Sequence, residues 1–137
     1  MPGVFVSYSR PSAQIAEQVA AALSSLGYEV WRDDQLPAHR AYGDVIQERL
    51  HEARAVVVLW SSDASQSQWV RAEADCARQA GTLVQASLDG TVPPMPFNQI
   101  QCADLTGWDG DRQSDGWQKV ERSISALAGA PEMEAAS

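Results

Sequence analysis

Two hydrophobic rhythms alternate along this chain. Val4-Phe5-Val6-Ser7-Tyr8 is a short β-prone run. From Ser12 the apolar positions change to helical spacing: Ile15, Val19, Leu23 and Leu26 follow one another at intervals of four, four and three. Ser12 suits an N-cap and Gly27 a C-terminal stop. Tyr28 to Trp31 reads as a second strand, followed by a polar loop from Asp33 to Ala41. A helix is expected from Gly43 to Ala53, with Ile46, Leu50 and Ala53 on one face. Ala55-Val56-Val57-Val58-Leu59-Trp60 is continuously apolar, the mark of a central parallel strand covered on both faces. Ser61-Ser62-Asp63 interrupts it. A helix from Gln66 to Ala80 should stop at Gly81, and Thr82 to Leu88 reads as a fourth strand. The segment Asp89 to Pro96 cannot be regular structure, because Pro93, Pro94 and Pro96 have no backbone donor. Gln101 to Leu105 is a short fifth strand. A last helix from Ser114 to Leu127 carries Trp117, Val120, Ile124 and Leu127 on one face.

This order is a βα unit repeated about five times. Right-handed crossovers then place helices on both faces of a five-stranded parallel sheet. The predicted fold is a flavodoxin-like three-layer α/β sandwich spanning residues 1–128. Residues 129–137 are small, acidic and aperiodic, and read as a linker or disordered tail to a further C-terminal region.

Composition narrows the function. With 137 residues, 45% of them hydrophobic and 20% charged, the chain has the makeup of one globular domain. No apolar run approaches the ~20 residues of a membrane span. Met1-Pro2-Gly3 leads straight into a strand rather than a basic segment and an apolar one, so a cytoplasmic location is expected. Cys76 and Cys102 are expected as free thiols. With His39 and His51 they make no metal-ligand spacing, so no metal is expected. The net charge is −8, and Lys119 is the only lysine. That balance opposes nucleic acid, whose affinity rests on phosphate neutralisation. No basic amphipathic stretch suggests an anionic membrane either.

In open parallel sheets, ligands sit outside the carboxyl ends of the strands, where strand order reverses. The loops there hold Ser7-Tyr8-Ser9-Arg10, then Arg32-Asp33-Asp34 with the run to Tyr42, then Trp60-Ser61-Ser62-Asp63. The last of these leads to Trp69 and Glu73, which lie four apart on one helix face. Cys76 and Ala80 continue that stripe. Val70, Ala74 and Ala77 form the neighbouring stripe that should meet the sheet. Glu73 thus borders small and apolar residues, an unusual place for a carboxylate. Its ordinary alternative is an exposed side chain paired with Arg71 or Arg78.

Four segments together resemble a known family. Val4-Phe5-Val6-Ser7-Tyr8-Ser9-Arg10 resembles the first box of Toll/interleukin-receptor (TIR) domains. Val30-Trp31-Arg32-Asp33 and the loop to Tyr42 look like the family's second strand and BB loop. Ala55 to Ser61 is similar to its central strand, and Ser67-Gln68-Trp69-Val70-Arg71-Ala72-Glu73 to its tryptophan-then-glutamate helix. The resemblance covers about residues 3–127. The forms with Trp31 and Trp60-Ser61 look bacterial. The family's frequent Pro-Gly pair in the BB loop is replaced by Ala38-His39, with Pro37 one place early.

The resemblance implies an NAD hydrolase that releases nicotinamide and ADP-ribose or a cyclic form, with NAD as substrate and no cofactor. In a bacterium it implies signalling or antiviral defence. Glu73 would be the catalytic carboxylate. Nicotinamide leaves NAD as a neutral molecule, so departure needs no general acid. The enzyme's task is to stabilise an oxocarbenium-like ribose centre, which a carboxylate can do. Glu73 must then be ionised, with neighbouring donors offsetting burial. By the same resemblance Tyr8, Ser9 and Arg10 would contact the nucleotide and its phosphates. Trp69 and Tyr42 would supply aromatic walls, and Asp33 would orient the loop or a ribose hydroxyl. The ordinary alternatives are a strand-end ring in the core for Tyr8, packing for Trp69, a solvated charge for Arg10, and helix capping for Ser7 and Ser9.

A rival reading is a non-enzymatic module that binds other TIR domains, as many family members do. Enzyme and module are compatible, because members often assemble before they cleave. A flavodoxin is a poorer fit, since Arg10-Pro11 interrupts the amide loop a flavin phosphate needs. A phosphoacceptor receiver domain needs acidic residues after the first strand and a late-sheet lysine, and this chain has neither.

Overall fold

The computed structural model describes residues 3–32 and 42–129, except the side chains of residues 42–46. Five parallel strands form one sheet in the order β2-β1-β3-β4-β5. They are β1 (Gly3–Ser7), β2 (Glu29–Trp31), β3 (Ala55–Trp60), β4 (Leu83–Ser87) and β5 (Cys102–Asp104). β3 lies between β1, in register Val4↔Ala55 to Ser7↔Val58, and β4, in register Val56↔Leu83 to Trp60↔Ser87. Every β3 residue is buried, as its unbroken apolar run requires.

Strand alternation sorts these residues into two cores. Ala55, Val57 and Leu59 join the core with α1 (Ala13–Ser25) and α5 (Asp115–Ala128). Val56, Val58 and Trp60 join the core with α2 (Tyr42–Glu52) and α4 (Gln68–Ala80). Each fully buried Val or Leu contributes about 1.5–3 kcal/mol relative to exposure. The three-layer sandwich is therefore held from both sides of one central strand.

Local chemistry moved several expected boundaries. The helix expected from Gln66 to Ala80 is two helices. A short α3 (Ser62–Gln66) precedes α4, and Ser67 between them is extended. Ser61 Oγ accepts from the Ala64 N–H at 3.1 Å and Ser67 Oγ from the Val70 N–H at 3.2 Å. Two N-caps in succession restart the helix. Gly81 closes α4 in the left-handed conformation (φ 75°), which suits glycine.

The β4–β5 connection carries no α-helix, so the βα repeat is broken there. Its prolines permit only a 3-10 turn at Phe97–Gln99. Phe97 is buried against Trp60, with ring centroids 5.5 Å apart. In α5 the buried face is Trp117, Val120, Ile124 and Ala128, whereas Leu127 is exposed. Trp117 stacks on Trp108 at 4.8 Å, which closes that core. Among the described residues no helix is long and apolar enough to cross a membrane. The expected loop from Asp33 to Ala41 and residues 130–137 of the expected tail lie outside the described residues.

Candidate active site

The strand order reverses between β1 and β3. From β1 the chain passes through Tyr8 and Ser9 and a 3-10 turn at Arg10–Ser12 into α1. From β3 it passes through Ser61 into α3 and α4, which pack on the opposite face. Divergent connections of this kind leave a crevice at the strand ends. The two loops stay close, with Ser9 Oγ and Ser61 Oγ 3.4 Å apart.

Glu73 lies on α4 and is only 3% exposed. Its flanks explain the burial: Val70, Ala74 and Ala77 seat α4 on the sheet, and Glu73 falls just beside that stripe. The Ser7 hydroxyl donates to Glu73 Oε1 at 2.5 Å, joining α4 to the last residue of β1. This excludes the ordinary surface alternative for Glu73. Arg78 instead pairs with Asp75, at 2.7 Å. A buried carboxylate at the carboxyl end of a parallel sheet can stabilise developing positive charge or bind a hydroxyl.

The structure separates the other candidate residues. Trp69 sits one helical turn before Glu73 and is 40% exposed, so it is not a core packing residue. Arg10 is exposed at the start of the 3-10 turn. Ser9 precedes that turn without a side-chain capping bond, and Ser12 precedes α1 without one either. Helix capping therefore does not account for Ser9. Tyr8 is half-buried and packs against the α1–α5 core, on the face opposite Glu73. Its ring takes the place foreseen as the ordinary alternative. Tyr42 begins α2, but its side chain is outside the described residues, as is Asp33. Trp60, at a strand end rich in candidate groups, is wholly buried and belongs to the core.

Sequence reasoning missed Ser7 as the partner of Glu73. A signal was available: Ser7 follows Phe5 on one strand face, where an apolar residue would continue the pattern. It also missed the link between Asp89 and α3. Asp89 Oδ2 accepts from the Ser62 N–H at 2.9 Å, and Oδ1 from the Thr91 N–H at 3.1 Å. The Thr91 hydroxyl and these backbone donors hold Asp89 below the usual carboxyl range. No spacing rule connects Asp89 to Ser62.

Two clefts lie elsewhere among the described residues. One of about 360 Å³ lies between α4 and the β4–β5 connection, lined by Gln68, Arg71, Asp75, Met95 and Phe97. Another of about 330 Å³ lies between β5 and α5, with Lys119 and Arg122 at its wall. Neither is lined by Glu73. Among the described residues no group of three or more His, Cys, Asp or Glu side chains is placed to hold a metal ion.

A family model described as "TIR domain" matches residues 4–120. Among solved structures, the TIR domain of the Toll-related receptor TRR-2 from Hydra magnipapillata superposes with a TM-score of 0.72 at 15% identity, covering 88% of this chain and 96% of that one. A metazoan TIR-STING receptor from C. gigas, in complex with 2',3'-cGAMP, gives a TM-score of 0.69 at 22% identity. That match covers 93% of this chain but 39% of the receptor, so the chain spans about two fifths of it. The TIR domains of the activated Roq1 resistosome, which directly recognises the pathogen effector XopQ, give 0.59 at 16% identity, covering 93% of this chain and 84% of that one. At these identities the structural likeness bears on the fold alone. No curated protein matches the chain by sequence.

Proposed function

Because this chain belongs to the TIR domain family, we propose that it hydrolyses NAD, with Glu73 as the catalytic carboxylate. The observation that carries this reading is the buried Glu73 carboxylate at the carboxyl end of β1, bonded to Ser7. NAD and water give nicotinamide, ADP-ribose and a proton. The bond between ribose C1 and the nicotinamide nitrogen breaks, and its electron pair neutralises the pyridinium. Positive charge grows on the ribose, and Glu73 stabilises it by electrostatics, by hydrogen bonding to the ribose or by covalent capture. Water, or a second nucleophile within the substrate, then takes C1, giving ADP-ribose or a cyclic form.

In this reading Arg10 and Ser9 meet the phosphates and Trp69 forms an aromatic wall. Tyr42 supplies a second aromatic wall, and Asp33 orients the loop or a ribose hydroxyl. Tyr8 contributes only if its ring leaves the α1–α5 core. NAD is the substrate, and no cofactor or metal enters the reaction. The proposed setting is a bacterial cytoplasm, in signalling or antiviral defence.

A second reading is association with other TIR domains. The exposed apolar side chains Trp69, Val92 and Met95 favour it. The experiment is NAD consumption and nicotinamide release by wild type and Glu73→Ala, in dilute solution and under conditions that force assembly. The expected loss in the variant is on the order of 10²–10³-fold. Equal, undetectable turnover in both proteins under both conditions would leave association as the function.

A further inference from the structure

We propose that Ser7 is a positioning residue for Glu73, fixing the carboxylate from the sheet. This rests on the NAD-hydrolase reading and deepens it. Ser7 is the last residue of β1 and wholly buried. By strand alternation it points to the same face as Phe5, toward the core with α2 and α4. Its β3 neighbour in register is Val58, and Val56 and Trp60 share that core. A hydroxyl there gives up apolar burial and needs a partner. It has one in Glu73, at 2.5 Å and across 66 residues of sequence.

The distance lies in the range of charge-assisted O–H···O⁻ bonds, the stronger class. A glutamate side chain has three torsions, and on a helix it can sweep a wide arc. The Ser7 bond confines Oε1 to the end of β1, where the strand order reverses between the first and third strands. The carboxylate's place relative to a substrate is thereby tied to the sheet. An error of about 1 Å at such a group costs on the order of 10²-fold in rate. Ser7 itself touches no reacting atom in this scheme. Its effect passes through Glu73.

The test is steady-state NAD turnover by wild type, Ser7→Ala, Ser7→Thr and Ser7→Cys, with Glu73→Ala in parallel and melting curves for each. Ser7→Ala is expected to lower kcat about ten- to hundredfold while KM stays within about threefold, because positioning acts on the reacting centre. Ser7→Thr, which keeps the hydroxyl, restores kcat. Ser7→Cys, nearly isosteric but a weak donor, falls between, and it also serves if the alanine variant does not fold. Wild-type kcat in Ser7→Ala or Ser7→Cys overturns the proposal. So does a loss that Thr does not rescue, or one that tracks melting temperature across the three variants. Failure of the underlying reading looks different: wild type inactive in every condition, or Glu73→Ala as active as wild type.

Discussion

The indole N–H of Trp60 donates to Gln85 Oε1 at 2.9 Å, locking the last residue of β3 to the middle of β4 inside the core. The other end of the same amide donates to the carbonyls of Phe97 at 3.1 Å and Ile100 at 3.2 Å. One buried side chain thus holds the irregular β4–β5 connection onto the sheet. Replacing it by leucine keeps the volume but strands the Trp60 indole N–H and the Ile100 carbonyl, whereas the Phe97 carbonyl still accepts from the Ile100 N–H at 3.1 Å. Gln85→Leu is expected to cost about 2–4 kcal/mol, since buried orphaned groups carry about 1–3 kcal/mol each. Urea denaturation measures it. A midpoint equal to wild type would mean that water reaches those groups.

Ser67 sets where α4 begins, and so where Glu73 lies relative to Ser7. Its hydroxyl caps Val70. Ser67→Ala is expected to lower stability by about 1 kcal/mol, within the usual range for a lost N-cap. If α4 loses its first turn, the proposed NAD turnover should fall by more than the folded fraction does. Thermal melts and turnover on the same preparation separate the two effects.

Gly116 lies in the first turn of α5, where the helix crosses β5 closely. A Cβ built there would stand 1.9 Å from the Asp104 carbonyl oxygen. That neighbour is backbone and cannot rotate away. Alanine is the better helix former by about 1 kcal/mol, and steric overlap opposes it with about 1–3 kcal/mol or more. The clash should win. Gly116→Ala is expected to melt several degrees below wild type, and a variant that melts higher would show that α5 can slide along β5.

Asp89 predicts an acid-sensitive element. Its carboxyl titrates below the ordinary value of 3.8 because Thr91 and Ser62 donate to it. A lowered folded-state pKa means that the unfolded chain binds the proton more readily. The stabilisation is therefore present above about pH 4 and fades as pH falls through the folded value. Asp89 is nearly fully solvated, so the contribution is under about 1 kcal/mol. The difference in melting temperature between wild type and Asp89→Asn should be visible at pH 7 and shrink as the pH falls below the ordinary carboxyl value and through the lowered folded one. A difference that persists unchanged at low pH would exclude the carboxylate as its source.

The site was legible in uneven measure. Glu73 stood out because a carboxylate beside the stripe Val70, Ala74 and Ala77 conflicts with helix amphipathicity. Trp69 followed from helical spacing. Tyr8 was harder, because one residue of strand phase decides which face its ring takes. Pairing with Ser7 and the link from Asp89 to Ser62 span the fold, and no local period encodes them.

By itself the chain determined its strands, most of its helices and the parallel sheet. These follow from periods of two and 3.6 residues, which act within a few residues and survive any tertiary arrangement. The unbroken run Ala55–Trp60 alone implied a strand buried on both faces. Only the tertiary structure decided that Ser7 and Glu73 meet and that Gln85 holds the β4–β5 connection. Those outcomes depend on which strand lies beside which. Burial then makes each polar group take whatever partner the packing brings within reach.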